Sequence, residues 1–205
     1  MKKRDWIVFD VGGVLLNWHE SSTALAEYLQ VDKNILMETM FEQAKAMNIG
    51  KISPREGWRR VLEKLGKDED PQDIIRKWRH ESYWMKDTLK LIRELDEAGY
   101  NLAILSNSWL GLTEIEELPI LPPEIKLFKY ILDSSVEGIK KPDPAFYKLA
   151  EERLESDKNS MFFIDDDEDN LPPASEREWR TFHYVTGDDN GVASNDKLRE
   201  LLLIS

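Results

Sequence analysis

The chain has 205 residues, 41% hydrophobic and 33% charged, with a formal net charge of −12 and no cysteine. That length fits one domain, or one domain carrying a smaller insertion, and the apolar content rules against disorder. The acidic balance argues against nucleic acid or an anionic membrane as partner, and the lack of cysteine excludes thiol nucleophiles, disulfide scaffolds and Cys-ligated metals.

No apolar run reaches the ~18 residues of a membrane span, and the start, Met1 to Trp6, shows no small-residue cleavage site, so a cytoplasmic protein is expected. Trp6-Ile7-Val8-Phe9 is the first apolar run, continuous rather than alternating, as in a strand covered on both faces. About 75 residues then pass before the helix expected from about Asp87, against roughly 30 for a whole strand-helix-strand unit. That stretch is helical in pattern (Leu25, Tyr28, Leu29; Ile35, Leu36, Met40, Phe41; Trp58, Val61, Leu62; Ile74, Ile75, Trp78). Turn signals interrupt it at Ile49-Gly50, Ser53-Pro54, Leu65-Gly66 and Asp70-Pro71. Ser53 followed by Glu56 has the form of a capping box. Residues 17–85 therefore read as an insertion of three or four helices, with Trp18, Trp58, Trp78 and Trp84 expected to pack its core.

Leu89, Ile92, Leu95 and Ala98 then recur at helical spacing up to a stop at Gly99. Further strands are expected at Leu102–Leu105, Phe128–Leu132, Met161–Ile164 and Phe182–Val185, with a helix starting after the Asp143-Pro144 cap. Alternating strands and helices predict an α/β fold: a Rossmann-like three-layer core with a central parallel sheet, residues 1–16 and 86–205, and a helical cap, residues 17–85.

Ligands of open α/β sheets bind beyond the carboxyl ends of the strands. At those ends stand Asp10, followed by Gly12 and Gly13; Ser106-Asn107; Lys140-Lys141 before Pro142; and Asp165-Asp166, the start of five carboxylates in a row. Acidic side chains at the end of a buried strand repel one another unless a cation is present. Together the set suits phosphoryl transfer. Asp10 is the candidate nucleophile, and Gly12 and Gly13 let the backbone approach a phosphate. Ser106 and the neighbouring amides bind its oxygens, Lys141 neutralises it, and Asp10 with Asp166 hold Mg2+.

These segments resemble the motifs of the haloacid dehalogenase-like hydrolases: Phe9-Asp10-Val11-Gly12-Gly13-Val14-Leu15, Ile104-Leu105-Ser106-Asn107, Gly138 to Tyr147, and Phe162 to Asn170. Gly50-Lys51-Ile52-Ser53 is similar to the capped subgroup that holds sugar-phosphate phosphatases and the phosphatase domain of epoxide hydrolases. The resemblance implies Asp10 as nucleophile and metal ligand, the Gly12 carbonyl as a further ligand, and Asp166 as the main fourth-motif ligand with Asp165 second or outer. It implies Ser106 and Asn107 as phosphate binders and Lys141, with Lys140 as rival, as the motif lysine. It implies a Mg2+-dependent phosphatase of a small phosphorylated metabolite, with a sugar phosphate as one candidate. The family's usual second Asp, an acid–base group, is replaced by Gly12, and His19 is the candidate substitute. Trp18, Trp109 and Asn17 are expected to line the substrate pocket, and His80 and His183 to be structural. A metal-independent 2-haloacid dehalogenase and a weakly catalytic phosphometabolite sensor are the alternatives.

Overall fold

All four side chains of β1 (Trp6–Phe9) are buried. In the computed structural model, which describes residues 5–80, 83–107 and 121–202, this strand lies at the centre of a five-stranded sheet. The others are β2 (Asn101–Ser106), β3 (Tyr130–Asp133), β4 (Met161–Asp165) and β5 (Arg180–His183), in the order β3-β2-β1-β4-β5. Every pairing is parallel. The chain proceeds to one side of β1 through β2 and β3 and to the other through β4 and β5, so the crevice where the order reverses opens beside β1. Phe9 is in register with Ile104 and Ile164. The next residue of each strand therefore emerges at one level.

Side-chain alternation assigns the two faces. Ile7, Phe9, Leu102, Ile104, Phe162 and Ile164 pack under α5 (Lys86–Ala98) and α9 (Val192–Leu202). Trp6, Val8, Ala103, Leu105, Met161 and Phe163 pack under α7 (Pro144–Leu154) and α8 (Leu171–Glu176). A short α6 (Ser134–Glu137) follows β3. The Asp143 carboxylate accepts from the Ala145 amide at 2.9 Å and caps α7. Gly99, at φ 86°, closes α5.

Between β1 and α5 stand four helices: α1 (Trp18–Leu29), α2 (Lys33–Met47), α3 (Pro54–Leu65) and α4 (Pro71–Trp78). They share an apolar cluster of their own that includes Leu25, Leu36, Met40, Trp58, Val61, Ile74 and Trp78. Ser53 and Asp70 cap their helices at two of the turn signals, and Asp32 caps α2. Ser53 makes its half of the capping box, while Glu56 turns to Arg59 and Arg60. The two chain segments that lead into and out of this helical unit run side by side: Leu16 and Trp84 form an antiparallel bridge, and the Met85 amide donates to the Leu15 carbonyl at 2.8 Å.

Several details depart from the sequence reading. β5 begins at Arg180 and ends at His183, because its partner β4 ends at Asp165, the residue in register with His183. Phe128 precedes β3, whose first residue Tyr130 is an exposed member of an edge strand. Trp84 packs against the sheet and not among the inserted helices. Tyr28, Ile35 and Phe41 are about half exposed in place of core positions. No helix among the described residues is long and apolar enough to cross a membrane.

Candidate active site

The in-register strand ends put Asp10, Asp165 and Asp166 together: one carboxylate oxygen from each lies within 4.8 Å of the others. The Asp10 amide extends the ladder by donating to the Ile164 carbonyl at 2.9 Å, which fixes where its side chain starts. Lys141 reaches in from the segment between α6 and α7. Its Nζ lies 2.9 Å from Asp10 Oδ1 and donates to Asp165 Oδ2 at 2.6 Å, with the lysine side chain 1% exposed. Lys140 is not part of the lining of the cavity that holds Asp10; it lines a hollow beside Ile49 and Gly138 that Lys141 also borders. Of the two lysines, Lys141 is the one that pairs with Asp10 and Asp165.

One buried ammonium faces three carboxylates. Burial pushes the Asp10 carboxyl up to about 6 against the pull of Lys141, with Asp165 adding to the rise. Burial, then the charges of Asp10 and Asp165, push Asp166 up to about 8. Burial opposes the charge on Lys141, but Asp10 and Asp165 outweigh it and hold the ammonium above the usual lysine range.

Asp165 is fully engaged by the protein. Besides Lys141 it accepts from the Asp167 amide at 2.9 Å and from Asn170 Nδ2 at 3.0 Å. The Asn170 carbonyl in turn accepts from the Tyr147 hydroxyl at 2.6 Å. Asn107 lines the cavity, and its side chain also has protein partners: its Nδ2 donates to the Lys141 carbonyl at 2.9 Å and its Oδ1 accepts from the Lys141 amide at 2.8 Å. The side chain clamps the lysine's backbone. Sequence reasoning missed this clamp and the Tyr147–Asn170–Asp165 chain, although Asn170 closes the fourth motif.

Gly13 is placed beside Asp166 and not on the cavity wall. At φ 72°, a Cβ there would meet Asp166 Oδ2 at 2.0 Å, so its missing side chain is the space Asp166 occupies. Thr186 Oγ1 donates to the Gly13 carbonyl at 2.6 Å and holds this turn.

A cavity of about 490 Å3 opens above these groups. Asp10, Gly12, Ser106, Asn107, Lys141 and Asp166 line its floor; Trp18, Phe41, Ala44, Asn48 and Trp78 reach it from the inserted helices. Trp18 thus lies where expected. Asn17 does not: it caps α1 and donates to Asn190 Oδ1 at 3.1 Å, beside a neighbouring cleft. His19 lines that same cleft and stacks on Trp18 at 3.7 Å. Burial and Lys33 lower its pKa, and it is not part of the lining of the cavity that holds Asp10. His183 Nε2 meets the Asp166 carbonyl at 3.1 Å, and its Nδ1 faces Glu168. Trp109 lies outside the described residues.

The family model of the haloacid dehalogenase-like hydrolases matches residues 5–176. The sesquiterpene phosphatase astK of Aspergillus oryzae is 25% identical over 167 residues, covering 80% of this chain and 81% of that protein. Bifunctional epoxide hydrolase 2 of Sus scrofa is 30% identical over 115 residues, 54% of this chain, and the match spans 20% of that longer protein. Among solved structures, a haloacid dehalogenase family enzyme of Bacteroides thetaiotaomicron in its magnesium complex is 25% identical, with a TM-score of 0.67 over 92% of this chain and 96% of that one.

Proposed function

The chain belongs to the haloacid dehalogenase-like hydrolase family, and we propose that it is a Mg2+-dependent phosphatase of a small organic phosphomonoester, with Asp10 as nucleophile. The observation that carries this reading is the pairing of Asp10 with Lys141 at 2.9 Å, on the floor of a cavity that also exposes Ser106 and Asp166. The magnesium-bound Bacteroides enzyme and the Aspergillus phosphatase support it.

The residues present fit a magnesium ion. Their donors are all oxygen, the chemistry of a hard cation, and the clustered carboxylates outnumber the one ammonium. Asp10, Asp166 and the Gly12 carbonyl would hold the ion, while Asp165, with its oxygens already engaged, positions Lys141. When bound, Mg2+ offsets the repulsion between the carboxylates and a phosphoryl group and polarises that group.

An Asp10 oxygen attacks phosphorus, the bond from phosphorus to the ester oxygen breaks, and the departing oxygen takes a proton from water. Water then attacks phosphorus of the aspartyl-phosphate and gives a proton back to solvent as the bond from phosphorus to Asp10 breaks, releasing inorganic phosphate and the Asp10 carboxylate. Lys141 keeps Asp10 ionised and in place, and Ser106 with the adjacent backbone amides receives the phosphoryl oxygens. Residues 17–85 act as a cap on the core of residues 1–16 and 86–205; their own apolar cluster and the paired segments at Leu16 and Trp84 support that division.

The test is hydrolysis of aryl and alkyl phosphates with Mg2+, after EDTA, and after Mg2+ is restored, alongside Asp10→Asn. Activity should vanish with EDTA and return. Asp10→Asn should lose at least about 10³-fold in kcat with an unchanged circular dichroism spectrum. Turnover that survives EDTA, or an active Asp10→Asn variant, overturns the reading.

A further inference from the structure

Resting on the phosphatase reading above, we propose that the leaving group is an apolar body, alkyl or aryl, and that Trp18, Phe41, Ala44 and Trp78 select it, in place of the sugar phosphate suggested by the sequence.

The cavity is divided by chemistry. Its floor carries the carboxylates, Lys141 and Ser106, whereas the inserted helices give its roof two indoles, a phenyl ring, a methyl group and the Asn48 amide. Phe41, Ala44 and Asn48 fall at positions i, i+3 and i+7 of α2, so one face of that helix turns toward the floor. Trp18 and Phe41 meet edge to face, centroids 6.3 Å apart, and give the mouth an aromatic rim. Phe41 remains 49% exposed. A phenyl ring left at a cavity mouth gains burial when an apolar body enters.

Asn48 is the one polar residue that the inserted helices contribute to the lining among the described residues. A sugar would turn most of its hydroxyls toward rings and a methyl group, and those beyond the reach of Asn48, whose buried Oδ1 has no partner among the described residues, would give up their bonds to water without a replacement. A second anionic group fares no better: Lys141 is the sole cation in the lining among the described residues, and Asp167 and Glu168 add negative charge.

The experiment is a series of 4-alkylphenyl phosphates, unsubstituted to hexyl, assayed with Mg2+ and no detergent. Leaving-group basicity is nearly constant along the series, so chain length isolates apolar contact. kcat/KM should rise about fourfold per methylene until the cavity fills, mostly through KM, and a hydroxyl at the chain end should cancel most of the gain. Phe41→Ala, at a half-exposed position that tolerates truncation, should flatten the slope. Ala44→Leu should cut the longer esters by at least tenfold relative to phenyl phosphate. Turnover with no dependence on chain length, or a preference for the hydroxylated chains, overturns this proposal and leaves the phosphatase reading standing. No turnover of any ester overturns both.

Discussion

Lys141 stands between Asp10 at 2.9 Å and Asp165 at 2.6 Å, with Asp166 in the same cluster, so one buried cation answers three carboxylates. The consequence for stability has a definite sign. In the metal-free protein the carboxyls of Asp10 and Asp166 are raised to about 6 and about 8, above their unfolded values. Their contribution to folding is therefore complete below about pH 4 and is lost as the pH rises through about 6 and then about 8. The melting temperature of EDTA-treated protein should carry that loss between about pH 5 and 8.5, and Mg2+ should raise it most at the alkaline end. Equal Mg2+ stabilisation at both ends would contradict the clustered arrangement.

Gly12 offers a second test at this scale. A Cβ at Gly12 would meet nothing nearer than Trp18 Cδ1 at 3.7 Å, an ordinary contact. Gly12→Asp should therefore fold and supply the absent acid. It should speed hydrolysis of alkyl phosphates by about 10²-fold, the lower end of general-acid effects, and barely change esters with good leaving groups. Equal effects on both kinds of ester would show that the position does not face the leaving oxygen.

Among the elements, the joint between the helical unit and the core rests on Gly50. It follows α2 at φ 68°, and a Cβ there would lie 2.1 Å from the Ser135 carbonyl oxygen of α6. A backbone atom cannot swing aside, so Gly50→Ala should cost about 1–3 kcal/mol in urea unfolding. Gly66 has the same handedness, φ 67°, with nothing within 4 Å, so Gly66→Ala should cost only the local backbone term of about 1 kcal/mol. Equal losses in the two variants would mean that Ser135 does not confine Gly50.

The same elements show what the sequence could disclose. Near-continuous apolar runs marked the central strands, because β1 and β4 are buried on both faces. β5 was harder: at the sheet edge it has half-buried residues only at its centre, Thr181 and Phe182, and pairing with β4 sets its end rather than composition. Helix starts such as Ser53-Pro54, Asp70-Pro71 and Asp143-Pro144 are local signals and were readable at once. Trp84 was misplaced because a tryptophan next to an insertion reads the same whichever core it enters.

At the scale of the whole molecule, register is what makes a site out of distant motifs. Phe9 aligned with both Ile104 and Ile164 brings residues 10, 105 and 165 to one level, and the reversal of strand order opens the crevice between them. The motifs named Asp10, Lys141 and Asp166 in advance because each follows a recognisable strand or turn. They could not show that the Asn107 side chain serves Lys141, 34 residues away, since that bond exists only once the loops meet. Nor could they show the aromatic roof: Phe41 reads as helix core but is half exposed, and Trp78, which is in that core, also reaches the cavity.

The most direct test of the account is acid quenching of the Mg2+-loaded protein within its first turnovers of phenyl phosphate, followed by peptide mapping. A phosphoryl group is expected on the peptide that contains Asp10, decaying as substrate is exhausted and missing from Asp10→Asn. Inorganic phosphate released at the full rate with no phosphoryl group ever found on Asp10 would contradict it.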